Sequence, residues 1–332
     1  MKLIDLHADT LTALYYDPTV SGIAQEFVNT NTHHRLDNNS LQIDLNKLRQ
    51  ADSLAQFFVL WLNLKKCEEH NITAWQLFIK QYNELINQLN LHTDKISLVT
   101  NLIELEHNQQ QNKLSAFACV EEGAFITEIS QLKTAYDLGI RYITLVWNYE
   151  THIGTPSAID QSIGLKKFGF EMVEQMQNLG IMVDVSHLSD QGVSDVLSIS
   201  RKPIIASHSN ARALCKHTRN LPDALIKNIA MHDGIIGVNC VPHFLKDNNI
   251  DIKYEYLIQH IKHIYNLAGI DSLAIGNDFD GFRIKPEAQN EIKGIADLPL
   301  LATKLIQEGF SQSQIEQIFY KNALRVIKHN FN

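Results

Sequence analysis

The sequence predicts an α/β fold, a closed (β/α)8 TIM barrel, on three observations. Short runs rich in Ile, Val, Phe and Leu alternate with longer stretches of helical periodicity, the pattern of successive βα units feeding a parallel sheet. Eight such runs can be counted. The chain of 332 residues also suits one barrel, which takes ~250 residues before insertions. Counting alone does not separate a barrel from an open doubly wound sheet, but eight strands with helices between them favour closure.

The elements follow in order. Strands are expected at Leu3–Leu6, Gln56–Leu62, Ser115–Glu121, Tyr142–Val146, Ile181–Ser186, Pro203–Ser207, Ile235–Val241 and Ser272–Gly276. A long amphipathic helix is expected over Thr73–Asn90, a second over Leu165–Leu179 stopped by Gly180, and a third over Asp190–Ser200 after a Ser-Asp start. Two segments exceed ordinary connection length: Asp17–Ser53, rich in Asn, Thr and His, after the first strand, and Phe282–Leu298 after the eighth. Both would lie at the C-terminal face of a barrel, where active-site loops gather. No repeat, low-complexity tract or linker divides the chain, so residues 1–332 are expected to form one domain.

Hydrophobic residues at 45% and charged residues at 20% suit a globular protein with a sizeable core. The formal net charge of -8 excludes no small ligand but argues against nucleic acid, which needs clustered Lys and Arg. Cys67, Cys119, Cys215 and Cys240 are scattered, without a CxxC pair, and read as thiols in a reducing compartment rather than a disulfide framework. The opening MKLIDLHADT meets acidic residues before any signal-type apolar region could form, and no stretch reaches the ~20 apolar residues of a membrane span. A cytoplasmic location without membrane attachment is the expectation.

Polar residues interrupt the apolar runs at their ends. His7 and Asp9 stand two apart after the first run, where an extended backbone points both to one face. Glu121 closes the third strand, His187 follows the fifth, His208 the sixth and Asp278 the eighth. Barrel enzymes place catalytic groups at this end of the strands. Three imidazoles and three carboxylates form a nitrogen and oxygen donor set suited to zinc. Singly, each has a bland reading as a loop or helix-start residue; the coincidence with strand ends argues for a metal site. His33, His34, His70, His92, His107, His232, His260, His263 and His329 lie in helical or loop contexts and read as solvated surface.

IDLHADT, VEEGAFI, LGIRYITLVWN, GLKKFGFEMVEQMQNLGIMVDVSHLSD, PIIASHSNARALCKHTRNLPD and LAIGNDFDGF resemble segments of the membrane (renal) dipeptidases and their bacterial relatives, zinc enzymes among the amidohydrolase-type barrels. QIDLNKLRQADSLAQFF resembles that family's approach to the second strand, and residues 164–223 are the most specific part. The resemblance implies a binuclear zinc dipeptidase with two zinc ions per chain: His7 and Asp9 on the first, His187 and His208 on the second, Glu121 bridging. It further implies that Arg219 grips the substrate carboxylate, that Asp278 contacts substrate and handles the proton, and that the chain forms a homodimer. Short peptides with a free C-terminus would be the substrates, cleaved by a metal-bridging hydroxide.

Two departures from the family pattern stand out. Where the family commonly has Glu-Gly-Gly-His, this chain reads Glu121-Glu122-Gly123-Ala124, so Glu122 competes with Glu121 for the bridging role. Adjacent strand residues face opposite ways, so only one can point at the metals. Where mammalian members have a substrate-contacting His, this chain has Trp147 and Asn148, which are expected to line the pocket instead, as in bacterial relatives. Rival readings are another metal-dependent amidohydrolase of deaminase or lactonase type, weakened by an HxD rather than HxH opening, and a barrel that binds without catalysing.

Overall fold

The computed structural model describes residues 1–15 and 35–331. Nine parallel strands are present among the described residues: β1 (Leu3–Ala8), β2 (Ser53–Trp61), β3 (Ile96–Leu98), β4 (Leu114–Glu121), β5 (Ile140–Thr144), β6 (Met182–Asp184), β7 (Ile205–Ala206), β8 (Ile235–Val238) and β9 (Leu273–Ile275). Neighbour order β2-β1-β9-β8-β7-β6-β5-β4, with β2 pairing back onto β4, closes eight of them into a barrel. Helices connect the strands, as a right-handed parallel arrangement requires. The expected eight strands are the eight of the barrel: β1 runs on to Ala8 and β2, β4 and β5 start earlier, at Ser53, Leu114 and Ile140, whereas β6 to β9 are shorter than expected.

The ninth strand, β3, was not expected. It pairs only with the start of β4, Ile96 opposite Leu114 and Leu98 opposite Ala116, while β5 takes over the same edge from Ala118. Three residues are too few for a period of two to register in the sequence.

The helices obey their end signals. Thr73 caps Ala74–Asn90 in a capping box with Gln76. Gly180 ends Lys167–Leu179 in the left-handed region at φ 88°. The Ser189 side chain accepts from Gly192 N at the start of Asp190–Ile199. The long segment after β1 is not all loop: Leu45–Gln50 is helical, capped by Asp44, and residues 17–34 of that expectation lie outside the described residues. Helices Leu298–Gln307, Gln312–Glu316 and Asn322–Asn330 close the fold, with Asn322 Nδ2 donating to Leu273 O and Asn330 Nδ2 to Pro203 O.

Strand alternation sorts β4 between two buried clusters: Phe117 and Cys119 pack with Phe57 and Tyr142, whereas Ala116, Ala118 and Val120 face the other cluster. Phe57 stacks on Phe117 with ring centroids 4.5 Å apart. Glu121 continues the Phe117 side. All four cysteines are buried and unpaired. Two histidines read as surface are not: His92 and His260 are buried. His260 lies on the same face of helix Tyr254–Ala268 as Leu257, Ile261 and Ile264, accepting from Ala211 N at 3.2 Å and donating to Leu245 O at 2.9 Å. His33 and His34 fall outside the described residues.

Candidate metal centre

The six strand-end residues arrive at one mouth of the barrel. His7 is near the end of β1 and Asp9 just beyond it; Glu121 closes β4; His187, His208 and Asp278 follow β6, β7 and β9. Asp9 reaches His7 from a turn rather than from extended backbone, with φ -89° and ψ 15° at the head of helix Thr10–Leu14. Among the described residues, Glu122 and His187 are the only positive-φ residues that are not Gly, Asn or Asp, at 100° and 70°. Each such conformation costs ~1–3 kcal/mol and persists only where surroundings impose it. Both flank this cluster.

The distances are short. His7 Nε2 lies 3.4 Å from Asp9 Oδ2, 3.8 Å from Glu121 Oε2 and 3.9 Å from Asp278 Oδ1. Glu121 Oε1 lies 2.9 Å from His187 Nε2 and 3.4 Å from His208 Nε2, and those two nitrogens are 3.0 Å apart. The ligand-type atoms of His7, Glu121 and His208 lie within 4.8 Å of one another, as do those of His7, Asp9 and Asp278. His7 belongs to both groups. Glu122 is elsewhere: it turns back to accept from Ala124 N at 2.9 Å and Trp147 N at 3.2 Å.

Burial and mutual charge perturb several members of this cluster. Burial disfavours protonated His7, but Glu121, Asp9 and Asp278 outweigh it and raise its pKa to about 10. Burial pushes His187 and His208 well below the ordinary imidazole value, helped by the positive charges of His7 and Arg219. Burial lifts Glu121 well above the usual carboxylate range and Asp278 to about 7, with Asp9 adding like-charge repulsion at both. His7 Nε2 and Glu121 Oε1 are buried with no hydrogen-bond partner among the described residues, despite their close neighbours. Unpartnered imidazole nitrogen and carboxylate oxygen, converging away from water, are the donors a zinc-type ion takes. The residues fit a metal.

A cavity of about 220 Å³ opens on the cluster, lined by Asp9, Glu121, His187 and Asp278 and walled by Trp61, Trp147, Asn148 and Phe244. Trp147 meets Trp61 edge-on at 4.9 Å, and Asn148 Oδ1 lies 3.0 Å from His187 Nδ1. Arg219 is buried outside that lining, its guanidinium 5.9 Å from the Phe244 ring, donating to Ser209 Oγ and His208 O and leaving Nε without a partner.

Several supporting residues escaped the sequence reading. Asp280 accepts from Thr10 Oγ1 at 2.6 Å and Gln42 N at 2.7 Å, tying the loop after β9 to the segment after β1. Asn239 Nδ2 donates to Asp278 Oδ2 at 3.1 Å. Tyr142 and Ser207 face His7 Nδ1, and Asp184 is buried beneath Ser207. The available signal was a carboxylate inside an apolar run, Asp184 in MVDVS, which polar burial makes costly unless it is hydrogen-bonded.

A closed parallel barrel with imidazoles and carboxylates gathered at its C-terminal mouth defines a metal-dependent hydrolase of the TIM-barrel type. More specifically, the chain belongs to the membrane dipeptidase family, peptidase family M19, whose model matches residues 1–331. It is 30% identical over 256 residues to an uncharacterised protein in the pqqA 5' region of Klebsiella pneumoniae, covering 74% of this chain and 93% of that one. It is 27% identical over 296 residues to the dipeptidase tcpJ of Claviceps purpurea, covering 86% and 68%. The fold superposes on a crystal structure of the metallopeptidase dipeptidase AC of family M19 with TM-score 0.85 at 22% identity, covering 100% and 99% of the two chains. A metallopeptidase from Rhodobacter sphaeroides, liganded with a phosphinate mimic of L-Ala-D-Ala, gives 0.84 at 21% identity, covering 99% of each. At these identities the likeness to solved structures is one of fold.

Proposed function

We propose that this protein is a binuclear zinc dipeptidase that cleaves short peptides bearing a free C-terminal carboxylate. The observation that carries the reading is the convergence of Glu121 with three imidazole Nε2 atoms in a buried site where His7 Nε2 and Glu121 Oε1 have no partner. His7 and Asp9 would hold one ion and His187 and His208 the other. Glu121 suits the bridging role because Oε1 faces His187 and His208 while Oε2 faces His7. Zinc, when bound, lowers the pKa of water and polarises a carbonyl as a Lewis acid.

The remaining chemistry belongs to the chain. Asp278, whose Oδ1 lies 3.9 Å from His7 Nε2, is placed to accept a proton from the attacking water and return it to the departing amine. Asn239 holds its Oδ2, leaving Oδ1 toward the cluster. Trp147 and Asn148 offer an apolar face and an amide to substrate. Arg219, with an uncommitted Nε, supplies the buried positive charge to which a substrate carboxylate would be drawn. The cavity is smaller than the ~300–1,000 Å³ typical of pockets for drug-sized ligands, which favours a substrate of about two residues. Four free, buried thiols favour a reducing compartment, in keeping with a cytoplasmic location. No helix among the described residues is long and apolar enough to cross a membrane.

The test pairs metal analysis with a screen of L,L and L,D dipeptides in the presence of zinc. Two bound divalent ions per chain and dipeptide hydrolysis are expected. Fewer than two ions in an active preparation would refute the binuclear reading, and metal binding without hydrolysis of any dipeptide would leave a binding barrel.

A further inference from the structure

We propose that Asp184, acting through the Ser207 hydroxyl, forces His208 to carry its proton on Nδ1 and thereby keeps the Nε2 lone pair turned into the site. The inference rests on the metal-centre reading and makes Asp184 and Ser207 positioning residues for metal capture.

The argument is one of hydrogen-bond polarity. Asp184 Oδ1 accepts from two backbone amides, Ser186 N at 3.1 Å and Ser207 N at 2.8 Å. Its Oδ2 accepts from Thr144 Oγ1 and Ser207 Oγ, both at 2.6 Å. Both oxygens are filled by these donors, and a carboxylate only accepts, so the Ser207 hydroxyl proton is committed to Asp184. Ser207 Oγ then turns lone pairs to its other neighbours, among them His208 Nδ1 at 2.8 Å and His7 Nδ1 at 3.4 Å. A ring nitrogen that bonds to a lone pair must carry the proton, which leaves the lone pair of His208 on Nε2, 3.0 Å from His187 Nε2. Ser186 Oγ accepts from His208 N at 3.1 Å and fixes the backbone beneath the ring.

His7 meets the same polarity twice. The Tyr142 hydroxyl lies 3.0 Å from Leu6 O, which can only accept, so it presents a lone pair to His7 Nδ1 at 3.0 Å. His187 has no such lock, because its Nδ1 faces Asn148, an amide that can rotate to offer oxygen or nitrogen. Asp184, Ser207 and Thr144 are fully buried, so no solvent competes for these bonds.

Asp184→Asn inverts the relay. The two backbone amides hold the new side chain's oxygen at the Oδ1 position, so its NH2 turns toward Thr144 and Ser207. Ser207 Oγ then accepts from that amide and gives its own proton to His208 Nδ1, which moves the imidazole proton to Nε2. The experiment uses the full chain with 15N-labelled histidine, stripped of metal, at about pH 8.5, above imidazole's ordinary pKa of ~6.5. Long-range 15N–1H correlation reads the tautomer of His208, and zinc competition against a chromophoric chelator then reads affinity.

The wild type should show Nδ1–H on His208. Asp184→Asn should show Nε2–H and bind zinc ~10–100-fold more weakly. Ser207→Ala should lose the tautomer preference and weaken zinc to an intermediate degree. Thr144→Val, which removes a donor to Asp184 without altering Ser207, should keep both the wild-type tautomer and the wild-type affinity. Retention of Nδ1–H in Asp184→Asn, or equal weakening by Thr144→Val, overturns the proposal. Should Asp184→Asn fail to fold, an unchanged tautomer in Ser207→Ala overturns it equally. A wild type that binds no zinc refutes the metal reading instead, and the tautomer measurement still decides the relay.

Discussion

Gly281→Ala is the sharpest probe of the metal centre that leaves every proposed ligand in place. Gly281 lines the cavity, and a Cβ built on it would lie 2.5 Å from Asp278 Oδ1 and closer still to Asp9 Oδ2. Carbon does not approach oxygen within 3.0 Å in real side chains, so both carboxylates must retreat by at least ~0.5 Å or the loop must shift. The loop is poorly free to move, because Asp280 is tied to Thr10 and Gln42. A misplacement near 1 Å at a reacting centre costs about 100-fold in rate, so kcat/KM for dipeptide hydrolysis should fall about 10- to 100-fold, or about 1.4–2.7 kcal/mol of transition-state stabilisation. Stability should fall by up to about 1–3 kcal/mol from overpacking, partly offset because alanine also restricts the unfolded chain. Dipeptidase kinetics, metal content and thermal unfolding are measured together. Wild-type kcat/KM with wild-type metal content would show that Asp9 and Asp278 are not held where the geometry requires.

Asp278→Asn should abolish dipeptide turnover while leaving metal content intact, and retained activity would remove Asp278 from the proton path. Glu121→Gln should lose metal; Glu122→Gln should keep it but cost about 1–2 kcal/mol in urea unfolding, because its NH2 would face one of the two amides that Glu122 now accepts. Equal metal loss in the two variants would contradict this division. His260, buried and held at about 4 by burial, should make the protein acid-sensitive. Its folded pKa lies below the unfolded ~6.5, so the unfolded chain takes up the proton first as pH falls; this contribution is full above about pH 6.5 and declines by about 3 kcal/mol toward pH 4. His260→Gln should be less stable at pH 7 yet show a flatter stability profile between those limits, and parallel profiles would assign the acid sensitivity elsewhere.

Much of the site was legible because its signals are local. An apolar run ended by a polar residue marks a strand end whatever lies beside it, and His7, Asp9, Glu121, His187, His208 and Asp278 were each found that way. The period of helix Tyr254–Ala268 also placed His260 with Leu257, Ile261 and Ile264, a signal that the surface reading passed over. Glu121 and Glu122 mark the limit of local inference. Alternation says that they face opposite ways, but which side faces the imidazoles depends on Phe57, from another strand, stacking on both Phe117 and Tyr142.

Fold class, the run of barrel strands and the donor types gathered at their ends can all be read along the chain, since side-chain alternation, helical period and turn chemistry act over a few residues. Packing between distant segments is what brings Glu121 rather than Glu122 to the histidines, sets Arg219 beside the Phe244 ring, and stands Asp184 and Ser207 beneath His208. Those outcomes depend on pairing residues far apart in the chain, and a hydrogen bond's polarity has no meaning until both partners are in place.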